Sequence, residues 1–83
     1  MGERERKQIE RMASLLRDVQ RSGGRDRWDY LKSHGHSYST LRSALKRRWL
    51  CEMVDDRYEI TTFTPDFFVW YDLWKKRTAS SQK

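Results

Sequence analysis

The chain has 83 residues and a mass of 10.2 kDa, enough for one small domain, which excludes two-domain enzymes, barrels and the large cofactor folds. Its mean hydropathy of −1.06 is strongly polar, yet 13% aromatic residues and a single proline argue for a packed core and against disorder. Eighteen Lys and Arg against twelve Asp and Glu leave a net charge of +6, which favours polyanions: DNA, RNA or an anionic membrane surface.

The first element runs from about Glu3 to Ser22. Ile9, Met12, Leu16 and Val19 recur at steps of three, four and three, with Ala13 and Leu15 beside them, and charges fill the other faces. Such a stripe predicts an amphipathic helix that Gly23-Gly24 stops. A second, shorter helix fits Arg25 to about His34. Asp26 is its expected N-cap, and Trp28, Leu31 and Tyr30 are its inward candidates. Gly35 breaks it. Ser37 or Ser39 then caps a third helix through Tyr38, Leu41, Ala44, Leu45 and Trp49, with an alternative register carrying the helix on to Cys51.

After Leu50 the period shortens. Leu50-Cys51 and Met53-Val54 are apolar, Asp55-Asp56 is a turn candidate, and Arg57 to Thr61 alternates, which predicts a β-hairpin over about 50–61. Thr64 as N-cap and Pro65 at the first helical position open a last helix over about 65–77. Phe67, Phe68, Trp70, Tyr71 and Trp74 load it with rings, and Lys75-Lys76-Arg77 suits the dipole of its last turn. The small polar residues 78–83 are expected to form a flexible tail, so the predicted domain spans 1–77. The charged opening MGERERKQIE leads into no apolar signal core, and no stretch approaches the roughly 18 apolar residues of a membrane span. With one cysteine and so no internal disulfide, the expectation is a soluble cytoplasmic protein, nucleoid-associated if prokaryotic.

Two short helices joined by a glycine turn, then a hairpin and a final helix, give a mainly α chain with a small β-hairpin in the order α-α-α-β-β-α. The stretch Ser37-Tyr38-Ser39-Thr40-Leu41-Arg42-Ser43-Ala44-Leu45-Lys46-Arg47-Arg48-Trp49-Leu50 resembles the recognition helix of winged helix-turn-helix domains. Asp56-Arg57-Tyr58-Glu59-Ile60-Thr61 is similar to their second wing strand. Over about Ile9 to Trp74 the chain resembles small archaeal winged-helix regulators and chromatin-type proteins. It departs from them in carrying Trp49 where a glycine usually precedes the first wing strand, and His36 where an apolar residue is usual. The resemblance implies double-stranded DNA binding, by a transcriptional regulator or an architectural protein, and a dimer held by the terminal helix.

The charge distribution adds to this. Residues 25–50 carry seven basic and two acidic side chains, residues 51–64 carry one basic and four acidic, and 37–50 contain no acid. With Leu41, Leu45 and Trp49 inward, Arg42, Ser43, Lys46 and Arg47 face outward, types suited to base edges and phosphates. Ser39 and Thr40 join them, Arg25 and Arg27 are expected on the DNA backbone, and Arg57 is the candidate at the hairpin tip, beside the repelling Asp55 and Asp56. The rings of the last helix have three readings: core, an interface between copies through Phe68, Trp70, Tyr71 and Trp74, or a stacking platform for single strands. The stripe on the first helix is a further candidate for pairing across a two-fold axis. A protein–protein adaptor working through the aromatic helix, and RNA or single-strand binding, are the rival functions.

His34, His36 and Cys51 fall short of a four-ligand zinc set, and no carboxylate is placed to serve a catalytic metal as base. They read as a turn histidine pair and a buried thiol. Neither a Gly-x-Ser-x-Gly elbow nor a glycine-rich phosphate loop is present. No catalytic residue, metal, cofactor or small-molecule substrate is expected, and the chain does not read as an enzyme.

Overall fold

A computed structural model of the chain describes residues 2–24 and 27–81, and for 79–81 the backbone alone. The elements are α1 (Glu3–Ser22), α2 (Trp28–Ser33), α3 (Tyr38–Lys46), β1 (Leu50–Glu52), β2 (Tyr58–Ile60) and α4 (Thr64–Ser81). The chain is thus mainly helical with one small hairpin, in the expected order.

In α1 the stripe is the buried face. Met12, Leu16 and Val19 are buried together with Ala13 and Leu15, and Ile9 packs on their edge. Because that face is spent on the chain's own core, α1 offers no apolar stripe to a second copy. Glu3 and Glu5 in the first turn suit the helix dipole, and Gly23 ends the helix at φ 66° with its N–H on the Gln20 carbonyl.

The second helix is shorter than its sequence suggests. Arg27 is extended (φ −102°, ψ 166°) and forms an isolated antiparallel bridge with Arg57, so the chain pairs with the hairpin before it coils. Asp26, the expected cap, lies outside the described residues, as does Arg25. Leu31 is buried and Trp28 half-buried, but Tyr30 points outward, its ring stacked on His34 at 4.0 Å. A six-residue helix, short of two turns, has room for a single fully inward position.

Two helices end alike. After α2 the Gly35 N–H bonds to the Lys32 carbonyl (3.1 Å) and the His36 N–H to Leu31 (3.1 Å), with Gly35 at φ 86°. After α3 the Arg48 N–H bonds to Leu45 (3.1 Å) and the Trp49 N–H to Ala44 (3.0 Å), with Arg48 at φ 62°. Both are Schellman motifs, which satisfy the last carbonyls through a left-handed residue. The second stops α3 at Lys46, so Trp49 lies beyond the helix, and β1 starts at Leu50. Ser37 is the N-cap, accepting the Thr40 N–H at 3.2 Å.

The hairpin pairs Leu50 with Ile60, Cys51 with Glu59 and Glu52 with Tyr58. Met53 and Val54 belong to the connection and not to a strand. The Asp56 N–H turns back to Met53 (3.2 Å), Asp56 takes φ 60°, and the Met53 N–H closes on Arg57 (2.7 Å). This is a turn followed by a left-handed residue, a geometry that an aspartate tolerates better than most side chains.

Thr64 opens α4, but its hydroxyl does not cap that helix. It is buried, donates to the Trp49 carbonyl (2.6 Å) and accepts the Thr61 N–H (3.0 Å), while the Thr61 hydroxyl donates to the Arg48 carbonyl. The two threonines tie the end of α3 to the start of α4. Phe67, Tyr71 and Trp74 face the core; Phe67 stacks on Tyr71 at 5.8 Å and Trp49 leans on Phe67 at 4.7 Å. The Tyr71 hydroxyl donates to Glu10 (2.7 Å), and burial together with that carboxylate pushes its pKa up to about 12. The helix continues past Arg77 to Ser81, where a tail was expected. No glycine or proline interrupts 78–81, and the Thr78 hydroxyl bonds back to the Trp74 carbonyl (2.5 Å). Among the described residues no helix is long and apolar enough to cross a membrane.

Candidate nucleic-acid interface

The side of α3 turned away from Leu41 and Ala44 presents Arg42, Ser39, Ser43, Lys46 and Arg47, all exposed. The reason is helical spacing: Leu41, Ala44 and Leu45 seat the helix on the core, so residues one and two positions from them project outward. Arg42 and Lys46 are four apart and form one edge of this face. Neither has a carboxylate within ion-pair distance among the described residues. Arg47 is the C-cap, with its guanidinium 5.6 Å from the centre of the Trp49 ring, a cation–π placement that holds it beside the helix end.

Thr40 is only half-exposed, and its hydroxyl lies 2.7 Å from the Ser37 hydroxyl. That group completes the N-cap, so Thr40 serves the start of the helix more than its outer face. Ser39, Thr40, Ser43 and Arg47 border an open cleft of about 370 Å³ whose far wall includes Glu5 and Trp70. The outer face of α3 therefore has a basic edge, Arg42 and Lys46, and a hydroxyl-lined edge toward α1 and α4.

Two exposed residues extend this surface beyond the sequence expectation. Arg48 is displayed by its left-handed backbone next to Arg47. Tyr38 is 57% exposed at the first position of α3, edge-on to Trp28 at 5.4 Å. Arg48 has a signal in the sequence only if the helix is known to end at Lys46. Tyr38 is legible in the sequence as a helix residue, but nothing local assigns its ring to the outer face.

The hairpin is different. Arg57 is bound to Asp55 at 3.1 Å, and its Nε is buried without a partner in the described structure. Glu52, Asp55, Asp56 and Glu59 are exposed around it. Arg27 is exposed, with its backbone bridged to Arg57 at the turn end of the hairpin, and a cleft of about 290 Å³ there is lined by Arg27, Asp29, Glu52 and Asp56 among others. Burial, then the nearby Glu52, raises the Tyr58 pKa, which reports the same negative surroundings. The structure thus does not bring Arg57 to the α3 face as a free cation.

Of the four rings expected between copies, Tyr71 (1% exposed) and Trp74 (8%) lie in the chain's own core, and Phe68 is half-buried. Arg17 sits 5.5 Å from the Tyr71 ring and 5.9 Å from Phe68, closing that side. Only Trp70 is open, in company with Val69 and Leu73, which the aromatic pattern did not single out. One helix cannot turn all its rings the same way: at about 100° per residue, Trp70 falls between the two faces.

The His36 Nε2–H donates to the Asp18 carboxylate (2.6 Å), His34 stacks on Tyr30, and Cys51 is exposed on β1 where a buried thiol was expected. Strand alternation explains Cys51, since Leu50 before it takes the inward position. Among the described residues no three His, Cys, Asp or Glu side chains group as a metal set.

Compared with family models, with curated proteins and with solved structures, the chain matches none.

Proposed function

We propose that this chain binds double-stranded DNA as a small winged helix-turn-helix protein, a transcriptional regulator or an architectural protein, by laying α3 in the major groove. The observation that carries the reading is the exposed, acid-free face of α3, where among the described residues Arg42 and Lys46 stand without carboxylate partners and Ser39, Ser43, Arg47 and Arg48 flank them. Arginine there suits guanine edges, and lysine and the hydroxyls suit phosphates. Such a role places the protein in the compartment that holds DNA and needs no catalytic group, metal or cofactor.

The test is duplex binding by Arg42→Glu/Lys46→Glu. Each side chain is expected to supply roughly 1–3 kcal/mol, so the double reversal removes detectable binding while the melting temperature stays near that of the parent. The parent's log K is expected to fall with log salt at about 0.9 per neutralised phosphate. A double variant that shifts duplex DNA normally would rule out α3 as the reading element. The adaptor reading keeps one observation in its favour, the open apolar residues of α4. Single-strand stacking through Trp70, Tyr71 and Trp74 loses support, because Tyr71 and Trp74 are buried.

A further inference from the structure

We infer that Tyr38 is a specificity-determining residue of the α3 face, its ring reading the C5-methyl group of thymine in the major groove; this rests on the duplex-binding reading above. Tyr38 is 57% exposed at the first position of α3. Residues 38, 42 and 46 are four apart, so Tyr38, Arg42 and Lys46 form one row along the helix, with the ring at its N-terminal end. In helix-turn-helix docking the N-terminal residues of the recognition helix are the ones that meet base edges. An α3 seated in the groove through Arg42 therefore carries the ring to the bases about 6 Å farther along the helix axis.

The chemistry selects the target. An uncharged ring gains little from phosphates, and the apolar group that the major groove displays on a base edge is the thymine methyl. The ring is also held in place before anything binds. Trp28, half-buried on α2, meets it edge-on at 5.4 Å and 71°. The buried Tyr58 of the hairpin is a second neighbour: after burial and Glu52, the Tyr38 phenol contributes to its raised pKa. A ring fixed from α2 and from the hairpin loses little side-chain entropy when it meets a base. Tyr30 is comparably exposed, but it is stacked on His34 in α2, outside the row that Arg42 and Lys46 define.

The test compares two duplexes with dT and dG alternating on one strand and dC and dA on the other, identical except that one carries uracil in place of thymine. Both offer guanine to Arg42 in every register and the same phosphates throughout; only the methyl differs. The parent is expected to bind the thymine duplex about fourfold more tightly, the effect of burying one methyl group. Tyr38→Ala binds the two equally while keeping the parent's salt slope, because no phosphate contact is lost. Tyr38→Phe keeps the preference, since the ring and not the hydroxyl makes the contact. Three results each overturn the inference: a parent that binds both duplexes equally, a Tyr38→Ala chain that retains the preference, or a Tyr38→Phe chain that loses it. In all three, binding that Arg42→Glu/Lys46→Glu still removes leaves α3 as the reading element and discards only the role of Tyr38. A parent that binds neither duplex overturns the proposed function, and this inference with it.

Discussion

Helix α3 and the hairpin touch in the fold and follow each other in the chain, yet they carry opposite charge. Residues 37–50 hold no acid, whereas 51–64 hold four acids and one base, and that base, Arg57, is spent on Asp55. In a protein that contacted phosphates through both elements the two would share a sign. The contrast teaches that the hairpin here is a prop. It bridges Arg27, buries Tyr58 and seats the end of α3, and under the proposed function its carboxylates would keep the duplex to the helix side.

The comparison can be broken from the hairpin side. Removing Glu52, Asp55 and Asp56 together as Gln, Asn and Asn is expected to raise duplex affinity about tenfold at low salt, with the gain fading as salt screens it. The direction is opposite to that of the α3 reversal. A triple variant with parental affinity at low salt would mean that the hairpin lies far from the DNA backbone. Fluorescence anisotropy on one random duplex, at two salt concentrations, reads both changes.

How much of this was legible beforehand depends on what each residue needed. The stripe of α1, the glycine after α2 and the acid-free run of α3 were legible because period, breaker and charge are local properties. The end of α3 was not, since Arg48 holds a backbone conformation that sequence rules reserve for glycine, and only the bonds from Arg48 and Trp49 back into the helix reveal it. The start of α2 was hidden for a different reason: Arg27 is drawn out of the helix by a bridge to Arg57, thirty residues on. On the candidate interface, the cations were found by composition, but that Arg57 is committed to Asp55 and Thr40 to Ser37 required the fold. The rings of α4 were counted correctly and assigned too generously to the surface, because burial of Tyr71 and Trp74 depends on where α1 packs.

The joint between the two regions offers a second test, in stability instead of binding. Thr64 is buried and holds the Trp49 carbonyl and the Thr61 N–H with one hydroxyl. Thr64→Val keeps the shape and deletes both bonds, leaving two backbone groups without this partner at the seam of α3, β2 and α4. The expected cost is about 1–3 kcal/mol. Urea unfolding followed by tryptophan fluorescence measures it. A loss below a few tenths of a kcal/mol would mean that water or a shifted backbone replaces the latch.

The smallest expected effect separates the two regions most sharply. The same Schellman turn occurs twice in this chain, with Gly35 in the left-handed position after α2 and Arg48 after α3. A side chain there costs about 1 kcal/mol relative to glycine, since its Cβ crowds the following carbonyl. Arg48→Gly is therefore expected to stabilise the fold by about 0.5–1 kcal/mol, a rise of a few degrees in melting temperature for a domain of this size. If Arg48 belongs to the α3 face, the same change also lowers the salt slope of duplex binding by about one phosphate. Arg48→Gly then makes a more stable and weaker binder, and the strain is accounted for by the charge it displays. Asp56→Gly is the matching change at the hairpin tip, where φ is 60°. It too relieves a left-handed backbone, but it removes a carboxylate, so stability and duplex affinity are expected to rise together. Opposite signs in binding from two substitutions with the same sign in stability are what the division between helix and hairpin requires. If both variants bind DNA like the parent, the left-handed residues carry only backbone strain, and the charge contrast stops short of the joint.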